Sequence, residues 1–307
     1  MGDPGRTGRQ PRVKCHRPAK RALSCARSVC RLAASHTMGN IKALLEGLQF
    51  DRMKVLQASV NGSVAQWSDS TAETQDDERT LQCNVLQPLG KPLDSFASIS
   101  QLIDALRDAI KAHWALYKNN IRHQDISVWN IMISEAHASQ HDDPKGFLID
   151  LDLAMELEDI LPDGRTCAGT PMFMAIEVLR SKHHTYRHDL ESFLYILIWM
   201  AICRQCGPPP NGSLLERWRG DDVEKLATVK EHDMREDSFE MILEEFYADF
   251  KSIKLLARRL RRILFCRDSP GEESLFLGTD VSEVGTAELY SAMLGAFEDS
   301  LVSLSRL

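Results

Sequence analysis

The sequence is short of several things. It has no G-x-G-x-x-G stretch, so no glycine turn of the kind that cradles phosphates is legible in it. No Val-Ala-x-Lys strand precedes a helical Glu, and Met53-Lys54-Val55-Leu56 is the nearest approach to a lysine in apolar company. The longest apolar run, Phe193 to Cys203, is too short to span a bilayer, and no secretory leader pattern is present. A membrane partner is therefore not expected. Basic charge is scarce: the net charge is −7 and the pI near 5.8, which argues against nucleic acid as the main partner. The 8 cysteines follow no framework spacing, and Cys203-Arg204-Gln205-Cys206 lacks the second pair of a zinc site. Free thiols are expected.

What is present is ordinary for a globule: 307 residues, 43% hydrophobic and 26% charged. The charge is uneven. Nine Arg and Lys fall in residues 1–35 against the single acid Asp3, so the remainder carries about −15. That head reads as a disordered basic tail over 1–37, with a transit peptide or a gene-model extension as rivals and Met38 as a candidate start. Residues 40–58 hold a weak helical pattern, and 61–80 a polar loop. Leu81, Cys83 and Val85 alternate as a half-buried strand, and Leu89 to Pro92 breaks it. Ser98 or Ser100 is placed to cap a helix reaching Tyr117, with Ile99, Leu102, Ile103, Leu106, Ile110, Trp114 and Tyr117 on one face. Two strands, Asn130–Ser134 and Gly146–Asp152, are expected next. The apolar helix from Asp189 to Cys203 follows, then helices over 214–265 and 286–305.

His123-Gln124-Asp125-Ile126-Ser127-Val128-Trp129-Asn130 carries the chemistry. It reads His-x-Asp, then four residues, then Asn. A carboxylate that accepts a hydroxyl proton and an amide that reaches a magnesium ion have to face one small volume, and a tight loop running into a strand achieves that. The pattern alone is weak. It is followed in order by Gly146-Phe147-Leu148-Ile149-Asp150-Leu151-Asp152, by Gly169-Thr170-Pro171 through Ala175-Ile176-Glu177, and by Tyr186-Arg187-His188-Asp189 opening the long helix.

From about Leu81 to Phe265 the chain resembles the fungal-type protein kinase family, whose catalytic loop reads His-Arg-Asp-Ile-Ser-x-x-Asn-Ile. The resemblance implies an α+β protein kinase-like fold with a mostly helical C-terminal lobe (81–265). Residues 38–86 would be an incomplete or degenerate N-terminal β lobe and linker, and 266–307 an acidic loop and a last helix. It implies ATP and Mg2+ as cofactors and a protein substrate with Ser or Thr hydroxyls. In the roles it implies, Asp125 is the catalytic base and His123 braces the loop. Asn130 and Asp150 hold magnesium beside the nucleotide. Ser127 stands where many Ser/Thr kinases have a phosphate-contacting Lys. Glu177 pairs with a distal arginine, Arg258 or Arg259, and buried Asp189 accepts catalytic-loop amides. Without an export signal, the chain is expected inside the cell.

Departures from the family pattern keep two rivals in view: a catalytically weak pseudokinase or scaffold, and a small-molecule phosphotransferase of the aminoglycoside or choline kinase type. Gln124 replaces the arginine that receives an activation-segment phosphate, so phosphorylation of Thr166 or Thr170 is not expected to be the main switch. Asp152 replaces the glycine of Asp-Phe-Gly and Leu151 its phenylalanine, and an Asp-x-Asp is also found in the small-molecule enzymes. The peptide-docking stretch Gly169 to Glu177 speaks against that last reading.

Overall fold

The computed structural model describes residues 31–40, 80–87, 89–135, 143–157, 169–266 and 275–306. They divide into one unit over 31–87 and another from Pro88 onward. The first is an antiparallel pair. Strand β1 (Arg31–Asn40) runs against β2 (Thr80–Gln87), with Arg31 opposite Gln87 and Asn40 opposite Thr80. The expected strand near Leu81–Val85 is present. Residues 31–37, expected in the tail, instead open β1, because pairing with β2 satisfies backbone groups that local composition leaves unassigned. The helical pattern expected over 40–58 and the lysine at 54 lie outside the described residues, except that Asn40 ends β1.

The second unit begins with β3 (Gly90–Pro92), a short strand where the sequence suggested only a break. It pairs with β5 (Ile131–Ser134), which pairs in turn with β6 (Gly146–Leu148) in an antiparallel sheet ordered β3-β5-β6. Between them lie helix α1 (Ile99–Lys118) and the two-residue β4 (Ile121–Arg122). The Ser98 hydroxyl caps α1 by accepting the Gln101 N–H at 3.1 Å. Its stripe of Leu102, Ile103, Leu106 and Ile110 is buried. Gly146 is required where β6 crosses α1: a Cβ there would lie 2.3 Å from the Ala105 carbonyl oxygen.

Strand β7 (Met155–Glu156) pairs with β4, and α2 (Ile176–Leu179) precedes α3 (Tyr186–Cys203). Every residue of α3 is buried: the run from Phe193 on is apolar on all sides, and the polar residues of its first turns are paired inside the fold. Helices α4 (Val223–Asp233), α5 (Glu236–Glu244), α6 (Lys254–Phe265) and α7 (Glu283–Leu304) complete the chain. Trp218, Phe239, Ile242, Leu243 and Phe250 join the core as expected, while Leu214 is half-buried. The expected α+β class, mostly helical with a small and incomplete strand complement, is what the structure shows. Cys203 and Cys206 are free, with burial pushing both thiols up to about 12. Among the described residues no helix is long and apolar enough to cross a membrane.

Candidate active site

Asn119 and Asn120 end α1, and Asn120 takes a left-handed φ of 61° that an asparagine tolerates. The chain then passes through β4 into the loop at His123, and β5 carries it away after Asn130. Inside the loop the hydrogen bonds are dense. The His123 ring is fully buried. Its Nε2 lies 3.1 Å from the Ile149 carbonyl oxygen, while its Nδ1 accepts the Asp125 N–H at 3.3 Å. Those two partners fix the tautomer, with the proton on Nε2. Burial pushes the imidazole below its usual range, consistent with a neutral brace.

Asp125 is half-buried and held from two sides. Its Oδ1 accepts the N–H and the hydroxyl of Thr170, each at 3.0 Å. Its Oδ2 accepts Asn130 Nδ2 at 2.9 Å, and the same amine donates to the Asp125 carbonyl oxygen at 2.9 Å. Both partners are acceptors, so the amine side of the Asn130 amide faces Asp125 and its oxygen faces away. Gly169 sits beside this cluster at φ +120°, and a Cβ there would come within 3.0 Å of the Gln124 carbonyl oxygen. Ser127 is buried, and its carbonyl accepts the Asn130 N–H at 3.1 Å.

The β5–β6 ladder brings the second carboxylate alongside. Ile131 is opposite Leu148, and the Ile149 N–H donates to the Asn130 carbonyl at 3.0 Å. Asp150 is the next residue. The strand expected to run to Asp152 ends at Leu148, because Asp150 turns to φ 62° and leaves extended geometry. Asp150 and Asp152 are both exposed, and the Asp152 N–H donates to Asp150 Oδ1 at 3.3 Å. The three oxygen-bearing side chains at 125, 130 and 150 thus come from adjacent backbone.

Asp189 lies under the loop with no exposed surface. Its Oδ2 accepts the Gln124 N–H at 3.3 Å and meets His113 Nε2 at 2.8 Å, while His184 Nε2 lies 2.8 Å from Oδ1. His113 Nδ1 meets the Tyr290 hydroxyl at 2.7 Å, tying α1 and α3 to α7. Burial raises the Asp189 carboxyl, and the two histidines more than reverse this, holding it well below the carboxylate range. Gln124 itself is buried at φ 68°.

Glu177 does not meet either arginine expected for it. Arg258 bonds Glu240 at 2.7 and 2.6 Å, and Arg259 bonds Asp299. Both lie on the solvated face of α6, where acids of α5 and α7 are within reach. Glu177 instead meets His188 Nε2 at 3.3 Å, and His188 Nδ1 accepts the Thr185 N–H at 3.0 Å. A buried arginine does exist nearby, on α3: Arg187 bonds Glu191 at 3.0 Å and the carbonyls of Leu264 and Phe276 at 2.6 and 3.1 Å.

A family model described as fungal protein kinase matches residues 9–201. The chain belongs to that family. It is also similar to Serine/threonine-protein kinase 4 homolog A of Dictyostelium discoideum, 25% identical over 185 residues that make up 54% of this chain and 39% of that protein. Serine/threonine-protein kinase pakF of the same organism is 29% identical over 112 residues, 36% of this chain and 9% of that one. The chain spans less than half the length of these curated relatives.

Sequence reasoning overlooked several residues bonded around this candidate site. Thr170 reads from the sequence as part of the Gly169–Glu177 motif and as a phosphorylation target, not as a partner of Asp125, yet both its donors hold that carboxylate. Glu191, Arg187 and Lys230 were not singled out. Lys230 had a signal: it falls on the apolar stripe of α4, three and four residues after Ala227 and Leu226.

Proposed function

We propose that this chain is a protein kinase that transfers a phosphoryl group from Mg-ATP to Ser or Thr hydroxyls of a protein. The observation that carries this reading is the clamping of the Asp125 carboxylate between Thr170 and Asn130, with Asp150 in the turn just after β6, next to Ile149, which bonds Asn130. Oδ1 of Asp125 already accepts two bonds and Oδ2 one, so a substrate hydroxyl would donate to the remaining lone pair of Oδ2. Asp125 then orients that hydroxyl and takes its proton as the phosphoryl group moves. His123, neutral and bonded to Ile149, keeps the loop at the register that Asn130 and Asp150 need.

Asn130 Oδ1 and the exposed Asp150 carboxylate are hard oxygen donors, which suit magnesium with phosphate oxygens and waters filling its shell. Among the described residues no group of three or more His, Cys, Asp or Glu is arranged for a metal, so two protein oxygens from Asn130 and Asp150 are the proposed set. When bound, magnesium would neutralise phosphate charge. Ser127, with no charge to offer a phosphate, would contribute through its backbone bond to Asn130.

Titrating Mg-ATP while following thermal unfolding tests the nucleotide site. Saturable stabilisation is expected, about 2.7 kcal/mol at a hundredfold excess over Kd, and Asp150→Ala should remove it. Transfer of radiolabel from ATP to a Ser/Thr peptide, lost in Asp125→Asn, tests the chemistry. A second reading, a pseudokinase acting as a scaffold, is favoured by the missing glycine loop and by Gln124. An absence of thermal shift at millimolar Mg-ATP would decide for it.

A further inference from the structure

The stretch from Thr170 to Ile176 is bonded at successive points to three different parts of the second unit. Thr170 holds Asp125. The Ile176 N–H donates to Glu191 Oε1 at 2.8 Å, and the same oxygen accepts the Tyr195 hydroxyl at 2.6 Å. Between these two anchors lies Lys230. Its side chain is fully buried, and Nζ donates to the Met174 carbonyl at 2.6 Å and lies 3.5 Å from that of Pro171. The same atom sits 4.0 Å from the centre of the Tyr195 ring and 5.3 Å from that of Trp218.

Burying an amine is costly, and no carboxylate lies within ion-pair distance of this one among the described residues. Burial drives the amine well below the usual lysine range, against the pull of Glu191 and Asp233. A methionine would fill the same volume without that cost. What only the lysine supplies is N–H donors for main-chain carbonyls at the junction between the short 3-10 turn Pro171–Phe173 and α2, which starts at Ile176.

We propose that Lys230 is a positioning residue that fixes Pro171 and Met174, so that Thr170 is held on Asp125 and the docking surface for a substrate peptide is preformed. For its catalytic consequence the proposal rests on the kinase reading above. Its structural core, the coupling of Lys230 to Thr170, does not.

The test uses the full chain and Lys230→Met. Amide hydrogen exchange is followed at Thr170 and Met174, with the amides of α3 as internal reference. Loss of the buried N–H bonds that Lys230 gives to main-chain carbonyls should speed exchange at both by about tenfold relative to the reference. With Mg-ATP and a Ser/Thr peptide, KM for the peptide should rise or kcat fall by a similar factor while KM for ATP stays unchanged. An unchanged Thr170 amide, even with a lower Tm, overturns the proposal, because a merely structural lysine gives that result. So does an equal rise in both KM values. If the variant does not fold, the wild-type chain decides: Thr170 and Met174 amides as protected as those of α3 support the anchor, and free exchange there overturns it. A wild-type chain without phosphoryl transfer sinks the kinase reading and leaves the exchange result to judge Lys230.

Discussion

The loop from His123 to Asn130 and the turn from Ile149 to Ala154 each offer a carboxylate, in opposite circumstances. Asp125 is half-buried, and its two oxygens accept three bonds from Thr170 and Asn130. Asp150 is exposed at φ 62°, with the N–H of Asp152 as its hydrogen-bond partner among the described residues. On the proposed reading the difference separates two jobs. The orientation of the first group is set by the folded chain before anything binds. The second is held in a sparsely populated backbone region and keeps most of its bonding capacity, as suits a group whose partners arrive with a ligand. Beneath the first lies Asp189, fully buried, whose bonds reach Gln124, His113 and His184.

The comparison breaks most visibly in stability. Asp189→Ala removes the acceptor of two histidines and a loop amide inside the core. It should cost about 3–5 kcal/mol in urea unfolding, the range for removing one partner of a buried ionic pair. Asp150→Ala should cost the unliganded protein no more than about 1 kcal/mol: the side chain is exposed, and what is lost is the acceptor of the Asp152 N–H and a residue type that tolerates φ 62° better than alanine does. Its effect belongs in the Mg-ATP titration. Equal destabilisation by the two variants would erase the proposed division of labour.

The sequence reveals these regions unevenly. The apolar periodicity of α1 and the unbroken run of α3 announce buried helices, because period and hydrophobicity are local properties. The spacing from His123 to Asn130 announces a loop whose members touch. Strand ends are less legible. Leu148 terminates β6 because Asp150 adopts a left-handed backbone, and nothing in Gly-Phe-Leu-Ile-Asp says so. Partner choice is least legible of all. Arg258 and Arg259 sit at the expected point in the chain, yet the acids nearest to them in space are Glu240 and Asp299, on helices packed alongside. A buried arginine is instead found at Arg187, one residue after α3 begins, and its bonds reach 77 and 89 residues along the sequence, to Leu264 and Phe276. Pairings between distant segments depend on how helices dock, which no single-sequence window contains.

A smaller effect sharpens the contrast between buried and exposed histidine chemistry. Burial, with His184 and Arg187 beside it, pushes His188 down to about 3 from an ordinary 6.5. The ring is then neutral in the fold, and its Nε2 proton is shared with Glu177. Between pH 6.5 and about 3 the unfolded chain binds the extra proton and the folded chain does not, so stability falls as pH falls through that window. At pH 5 the loss from this group is about 2 kcal/mol relative to neutral pH. His188→Gln, which keeps a neutral hydrogen-bonding side chain, should flatten that slope in thermal melts taken from pH 7 to 5. An unchanged slope would mean that the ring is already charged in the fold.

The smallest effect concerns the pairing that the structure redirects. Arg258 and Glu240 are each a little over two-fifths exposed, so Arg258→Ala should cost no more than about 1 kcal/mol, less in high salt. Glu177→Gln should add to it independently. In a double-mutant cycle the coupling between Glu177 and Arg258 should stay within about 0.5 kcal/mol, the scatter for residues that share no partner. Coupling well above that would restore the family's usual long-range pair and move Glu177 away from His188. Additivity would leave Arg187, reaching Leu264 and Phe276 from inside α3, as the arginine that ties the end of the Thr170–Ile176 stretch to α6 and the segment after it. It does so through Glu191, which holds the Ile176 amide.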